Sequence, residues 1–145
     1  MTEDPKSSPR MFLRDLPNDP TAVLDADANG TGVDVAGYEN VAIVVDSGVE
    51  GITLSGTNKI EFELEHSDDN SSWSDADSSD VNGTLGANGN FLTLDDNAES
   101  PQISEIEYLG AKRYVRVVAN FSGTHGTGTP VSASVILGKP RHAPA

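Results

Sequence analysis

The chain has no cysteine among its 145 residues. Disulfide staples, zinc–thiolate sites, iron–sulfur clusters and cysteine nucleophiles are therefore excluded. The compartment stays open, because a secreted protein need not contain cysteine. No stretch approaches the ~18 consecutive apolar residues that mark a membrane span. The first ten residues, Met1 to Arg10, are polar and proline-bearing and lack the apolar centre of a secretory leader. Export by the general secretory route is not expected. No window carries a sustained 3.6-residue apolar period, so long amphipathic helices are not expected either. No repeat of fixed period is visible.

Basic residues are scarce, nine against 23 acids, for a formal net charge of −14. Their placement is uneven. Residues 1–14 hold three bases and two acids, residues 15–111 hold one base (Lys59) and 21 acids, and residues 112–145 hold five bases and no acid. The acidity fits a solvated surface that keeps the chain soluble. It argues against nucleic acid as the main ligand, because phosphate recognition needs clustered cations. The base-containing termini suit an acidic partner or an acidic neighbouring copy.

What is present is strand-forming. The length suits one domain with a real core. Residues 1–20 form an expected extended N-terminal arm, since Pro5, Pro9, Pro17 and Pro20 break helices and disfavour central strands. Inside it lies an apolar–basic patch, Arg10, Met11, Phe12, Leu13 and Arg14, followed by Leu16. Two readings stand: the patch packs on the domain's own core, or it docks on another subunit. Twenty extended residues reach at most ~66–72 Å. Four apolar side chains do not offset the entropy of ordering such a segment. An ordered arm must also gain backbone hydrogen bonds, as by adding a strand to a partner's sheet.

Residues 21–138 read as one antiparallel β-sandwich or β-barrel-like domain. Val41 to Val45 is a continuous apolar run, the pattern of a strand covered on both faces. From Lys59 to His66 the residues alternate, with Ile60, Phe62, Leu64 and His66 on one face and Glu61, Glu63 and Glu65 on the other. Phe91 to Leu94 is a short strand candidate, and Ser104 to Tyr108 alternates with Ile106 and Tyr108 on one face and Glu105 and Glu107 on the other. Arg113 to Phe121 and Val131 to Leu137 both alternate strongly around a Gly/Thr-rich stretch and are expected to pair as a hairpin. Asn29-Gly30, Asn82-Gly83 and Asn88-Gly89 are hairpin-type dipeptides. Residues 139–145, with Pro140 and Pro144, form a tail expected not to continue the sheet.

Chemistry finds little support. His66, His125 and His142 fall in different regions, and no Gly-x-Ser-x-Gly elbow occurs. The stretch Gly123–Thr129 has no lysine and runs into Pro130 and a β-run, unlike a phosphate loop. Asp68, Asp69, Asp75, Asp77 and Asp80 offer oxygens for calcium but fail the EF-hand spacing, so a solvated loop is expected. Glu61, Glu63 and Glu65 share one strand face rather than facing each other across a cleft, which does not suit a glycosidase. They suit cross-strand pairing with Arg113 or Arg116. Trp73, the one tryptophan, follows a strand–Ser–Asp–turn pattern similar to jelly-roll carbohydrate-binding modules, and is expected in the core. No enzyme, metal or cofactor is expected.

The C-terminal third resembles virion proteins of tailed bacteriophages, among them capsid decoration (cement) proteins. The resemblance rests on Tyr108-Leu109-Gly110-Ala111-Lys112-Arg113-Tyr114-Val115-Arg116-Val117-Val118, on Gly128-Thr129-Pro130-Val131-Ser132-Ala133, and on Leu137-Gly138-Lys139-Pro140-Arg141-His142-Ala143-Pro144. It implies a structural protein made in the host cytoplasm and carried on the outer capsid surface. There it would stand as a homo-oligomer, often a trimer, and bridge neighbouring copies of the major capsid protein, with no nucleic-acid or membrane partner. Partner contacts would fall on the arm (Arg10, Met11, Phe12, Leu13, Arg14, Leu16) and on a C-terminal basic region (Arg113, Arg116, Lys139, Arg141, His142). A tail or tail-tip β-domain and a carbohydrate-binding module are the alternatives.

Overall fold

The computed structural model describes residues 22–141 and, for their backbone alone, residues 10–13. Among them twelve strands occur: β1 (Arg10–Leu13), β2 (Ala22–Leu24), β3 (Ala28–Asn29), β4 (Val33–Asp34), β5 (Tyr38–Ser47), β6 (Lys59–Ser67), β7 (Ser74–Asp75), β8 (Val81–Asn82), β9 (Asn90–Leu94), β10 (Gln102–Tyr108), β11 (Tyr114–Ser122) and β12 (Thr129–Pro140). They form two antiparallel sheets. Sheet A runs β1–β12–β5–β10–β8, with β2 also on β12; sheet B runs β3–β11–β6–β7, with β4 also on β11 and β9 also on β6. The sheets pack face to face as a β-sandwich.

Period-two alternation builds the core. Val41, Ile43 and Val45 of β5 and Val131, Val135 and Leu137 of β12 line the inner face of sheet A. Ile60, Phe62 and Leu64 of β6 meet them from sheet B, beside Val115, Val117 and Ala119 of β11. Phe62, at 0% exposure, is the largest fully buried side chain.

Several sequence expectations meet a different arrangement. β11 and β12 are not a hairpin: β11 pairs with β6 in sheet B and β12 with β5 in sheet A. Each strand has an apolar inner face, and stacking across the sandwich buries both. Alternation is satisfied equally by edge pairing and by face stacking, so it does not choose between them. Asn29-Gly30 lies between β3 and β4, which both pair with β11, whereas Asn82-Gly83 and Asn88-Gly89 lie where the chain passes from sheet A to sheet B. Asn88 and Gly89 take positive φ (58° and 74°) just before β9, and β8 and β9 lie in different sheets.

The run Val41–Val45 is buried on one face only. Ala42 and Val44 are half-exposed on the outer side of sheet A. The strand β12 also extends past residue 138. Lys139 takes a positive φ of 52°, Pro140 stands opposite Tyr38, and the Arg141 amide donates to the Gly37 carbonyl at 2.7 Å. A kink at Lys139 lets the chain resume pairing, and the missing N–H of Pro140 is tolerated at a strand end.

Candidate partner-binding site

The resemblance segment begins as β10 ends. Tyr108 turns inward, and its hydroxyl bonds to Nδ1 of His66 at 3.0 Å and accepts the Lys112 amide at 3.2 Å. Gly110 lies against the Tyr108 ring where a Cβ has no room, which lets the loop fold back over the ring. The Leu109 amide donates to the Asp80 carbonyl at 2.6 Å. Burial pushes the Tyr108 hydroxyl up to about 12 and holds the His66 imidazole below its ordinary value. The neutral pair fixes the loop from beneath. Leu109 itself stays outside, 56% exposed.

The turn between β4 and β5 faces this loop. The Val35 amide donates to the Arg113 carbonyl at 2.8 Å. The Arg113 guanidinium forks onto Asp34, with Nε 3.2 and 3.1 Å from the two oxygens and an Nη 2.8 Å from one. That hydrogen bonding holds the Asp34 carboxyl below the usual range and raises the Arg113 guanidinium. Lys112 reaches Asp68 at 3.7 Å and the Ser74 hydroxyl at 3.4 Å. Between turn and loop opens a cleft of about 450 Å³, walled by Val35, Tyr38, Leu109, Lys112, Arg113 and Arg141 with Glu39 at its rim. Lys139 bonds that rim, 3.4 Å from Glu39.

The residues expected at a partner site thus separate. Arg113 and Arg141 line the cleft, and Lys139 stands beside it. Arg116 does not line it. Its side chain lies on the outer face of sheet B, bonded to Glu65, with its guanidinium 4.4 Å from the centre of the Trp73 ring. The expected cross-strand pairing of the Glu61–Glu65 face with arginine holds for Arg116 and Glu65, which are direct register partners; Arg113 pairs with Asp34 instead. His142, Arg14 and Leu16 lie outside the described residues. In the arm, Arg10, Met11, Phe12 and Leu13 form β1 and pair with Leu137, Ile136, Val135 and Ser134 of the chain's own β12. β1 thus takes backbone hydrogen bonds from the chain's own sheet. Lys112 and the exposed Leu109 were missed as site residues, although Lys112 adjoins Arg113 in the same basic phrase.

Trp73 is not in the core. It lies half-buried outside sheet B, packed on Gly32, where no side chain fits, and under Arg116. A polar, serine-rich approach keeps the ring from turning inward, and the Arg116 cation gives it a partner outside. One ring face is thereby occupied by the chain itself. The acidic loop that leads to it is held by its own carboxylates. Asp69 accepts the amides of Ser71 and Ser72 and the hydroxyl of Ser67, which holds its pKa far below the usual range. Asp77 and Asp80 form a capping box around a 3₁₀ turn. Among the described residues no group of three or more acidic or histidine side chains is arranged to hold a metal ion.

No family model matches the chain, and no curated protein matches its sequence.

Proposed function

We propose that this chain is a structural virion protein that decorates a bacteriophage capsid and stabilises it by bridging neighbouring capsid subunits. The observation that carries the reading is the placement of the resemblance segment. Tyr108 to Arg113 forms one wall of an open cleft at one end of the sandwich, held by a buried Tyr108–His66 pair and by the Arg113–Asp34 fork, with Leu109 outward. A rigid loop that presents an apolar side chain among cations suits protein contact. In this reading the cleft and the arm engage the major capsid protein, the chain acts without catalysis, and copies gather as homo-oligomers, trimers at local three-fold positions, on the outer shell. A carbohydrate-binding role is less favoured, because Arg116 covers one face of Trp73.

The reading is tested by separating heads from tails of the parent virion and quantifying the protein in each. Recovery with heads supports a decoration role; recovery with tails moves the chain to the tail. A truncated chain lacking residues 1–16 is expected to stay folded, since β12 keeps β5 as a partner when β1 is removed, and to occupy shells poorly. Full occupancy by the truncated chain would show that the arm has no part in binding.

A further inference from the structure

The outer face of sheet A carries the pattern of a covered surface, and no described segment of the chain lies over it. The run Val41–Val45 reads as a strand buried on both sides, yet Ala42 and Val44 face outward and are half-exposed. On the neighbouring strand, Ile136 stands opposite Ala42 and Ser134 opposite Val44. At the two flanks of the sheet are Ile103 of β10, 70% exposed, and Val23 of β2, 66% exposed. These are two of the four large apolar side chains most exposed among the described residues. The β8 strand meets β10 only at Glu107 and Tyr108, so β10 from Gln102 to Ile106 is a sheet edge among the described residues. Such an edge beside exposed apolar side chains is a surface that proteins ordinarily cover.

Among the described residues of β2, β5, β10 and β12, the charges on this face are of one sign. Asp46 stands between Ser132 and Ile103 in register, Glu105 lies opposite Val44, and Glu107 lies opposite Ala42. The outward positions of β2, β5, β10 and β12 that surround them hold no lysine or arginine. Sheet B differs: there Arg116 answers Glu65 and Lys59 answers Glu61, the latter at 3.0 Å. Two copies joined through their A faces would bring six carboxylates and no described cation into one desolvated contact, which is costly.

We propose that the outer face of sheet A is a docking surface for a partner protein whose contact has an apolar centre and lysine or arginine residues against β10. The occupant is a cationic surface of a different protein, not a second copy of this chain. The inference rests on the reading above in taking that protein to be the capsid subunit, which then meets the A face together with the arm strand along β12.

The test is quantitative binding to expanded shells of the parent phage that lack this protein. Val44→Lys and Ser134→Trp place a charge and a bulky ring on the face. Glu105→Lys with Glu107→Lys, the second of which also removes a hydrogen bond from Asn82, reverses its charge. Asn120→Trp is the control on the outer face of sheet B. Thermal melts establish that each variant folds. Val44→Lys and Ser134→Trp should bind at least tenfold more weakly than wild type, and the double charge reversal should bind weakly and lose the salt dependence seen with wild type. Asn120→Trp should bind as wild type does. Saturable wild-type binding with folded A-face variants binding equally well would overturn the inference and leave the decoration reading standing. Absence of wild-type binding would overturn both. Sedimentation of the free protein provides a further arm: self-association that the A-face variants abolish would make a second copy the occupant and overturn the inference.

Discussion

The two sheets share one core and differ on their outer faces. Sheet B spends its outward side chains on its own chain. Arg116 is held between Glu65 and Trp73, Lys59 meets Glu61, and Asn90 donates to Glu61 at 3.3 Å. Sheet A carries small and apolar residues outward, with carboxylates on the β10 side, where Glu107 accepts from Asn82, and no described side chain covers its centre. An outward face whose charges are paired internally adds stability and offers a partner little. A face left apolar and single-signed adds little stability and stays available for contact. Substitutions on the two faces should therefore divide between folding and binding.

The inner faces should not show that division, because both sheets depend on them equally. Phe62→Ala on β6 should cost ~3–5 kcal/mol and Ile43→Ala on β5 ~2–5 kcal/mol, since each leaves a cavity in a close-packed core. Urea denaturation measures both; a cost under ~1 kcal/mol at either site would mean that the sheets do not share one core. The outer faces come next. Arg116→Ala should cost ~1–2 kcal/mol, from a partly buried ion pair together with a cation–π contact, and should open Trp73 to a fluorescence quencher. Val44→Thr on sheet A should stay within ~0.5 kcal/mol of wild type. Equal losses at the two positions would erase the contrast.

The smallest effect depends on pH. Glu63 lies on the outer face of sheet B but is only 8% exposed, and burial raises its carboxyl above the ordinary value, with Asp75, Glu61 and Glu65 adding to the rise. A carboxyl whose folded pKa is raised costs stability once pH exceeds the unfolded value of 4.5, and that cost is complete above the folded pKa. Glu63→Gln should therefore raise Tm at pH 7, and the gain should fade as pH drops toward 4.5. A gain that persisted unchanged below pH 4 would mean that packing, rather than ionisation, is responsible.

Much of the fold was legible because alternation reports burial directly. Period two puts Ile60, Phe62 and Leu64 on one face of their strand and Val115, Val117 and Ala119 on one face of theirs, and both sets are buried. Strand partnership was less legible. Nothing in the alternation of β11 and β12 says whether they pair or stack, and the Gly-rich segment between them serves either arrangement. Trp73 was misplaced because its surroundings, not its own apolarity, fix its position: Gly32 leaves room for the ring and Arg116 stacks on it, from segments far away in sequence. The continuous run Val41–Val45 has the pattern of a strand covered on both faces, and the described residues cover one. That mismatch between pattern and burial is the main sign of the A face. At the candidate cleft, Arg113 stands out in the sequence as part of a basic phrase, whereas its fork onto Asp34 depends on β4 lying beside β11, which no local pattern announces.

The most direct test of the account is co-sedimentation of the purified protein with expanded shells of the parent phage that lack it, followed by a heat challenge of the occupied shells. The account predicts saturable binding and a higher temperature of shell disruption when the sites are filled. Shells that sediment without the protein, or that break at the same temperature with it bound, would contradict a stabilising decoration role.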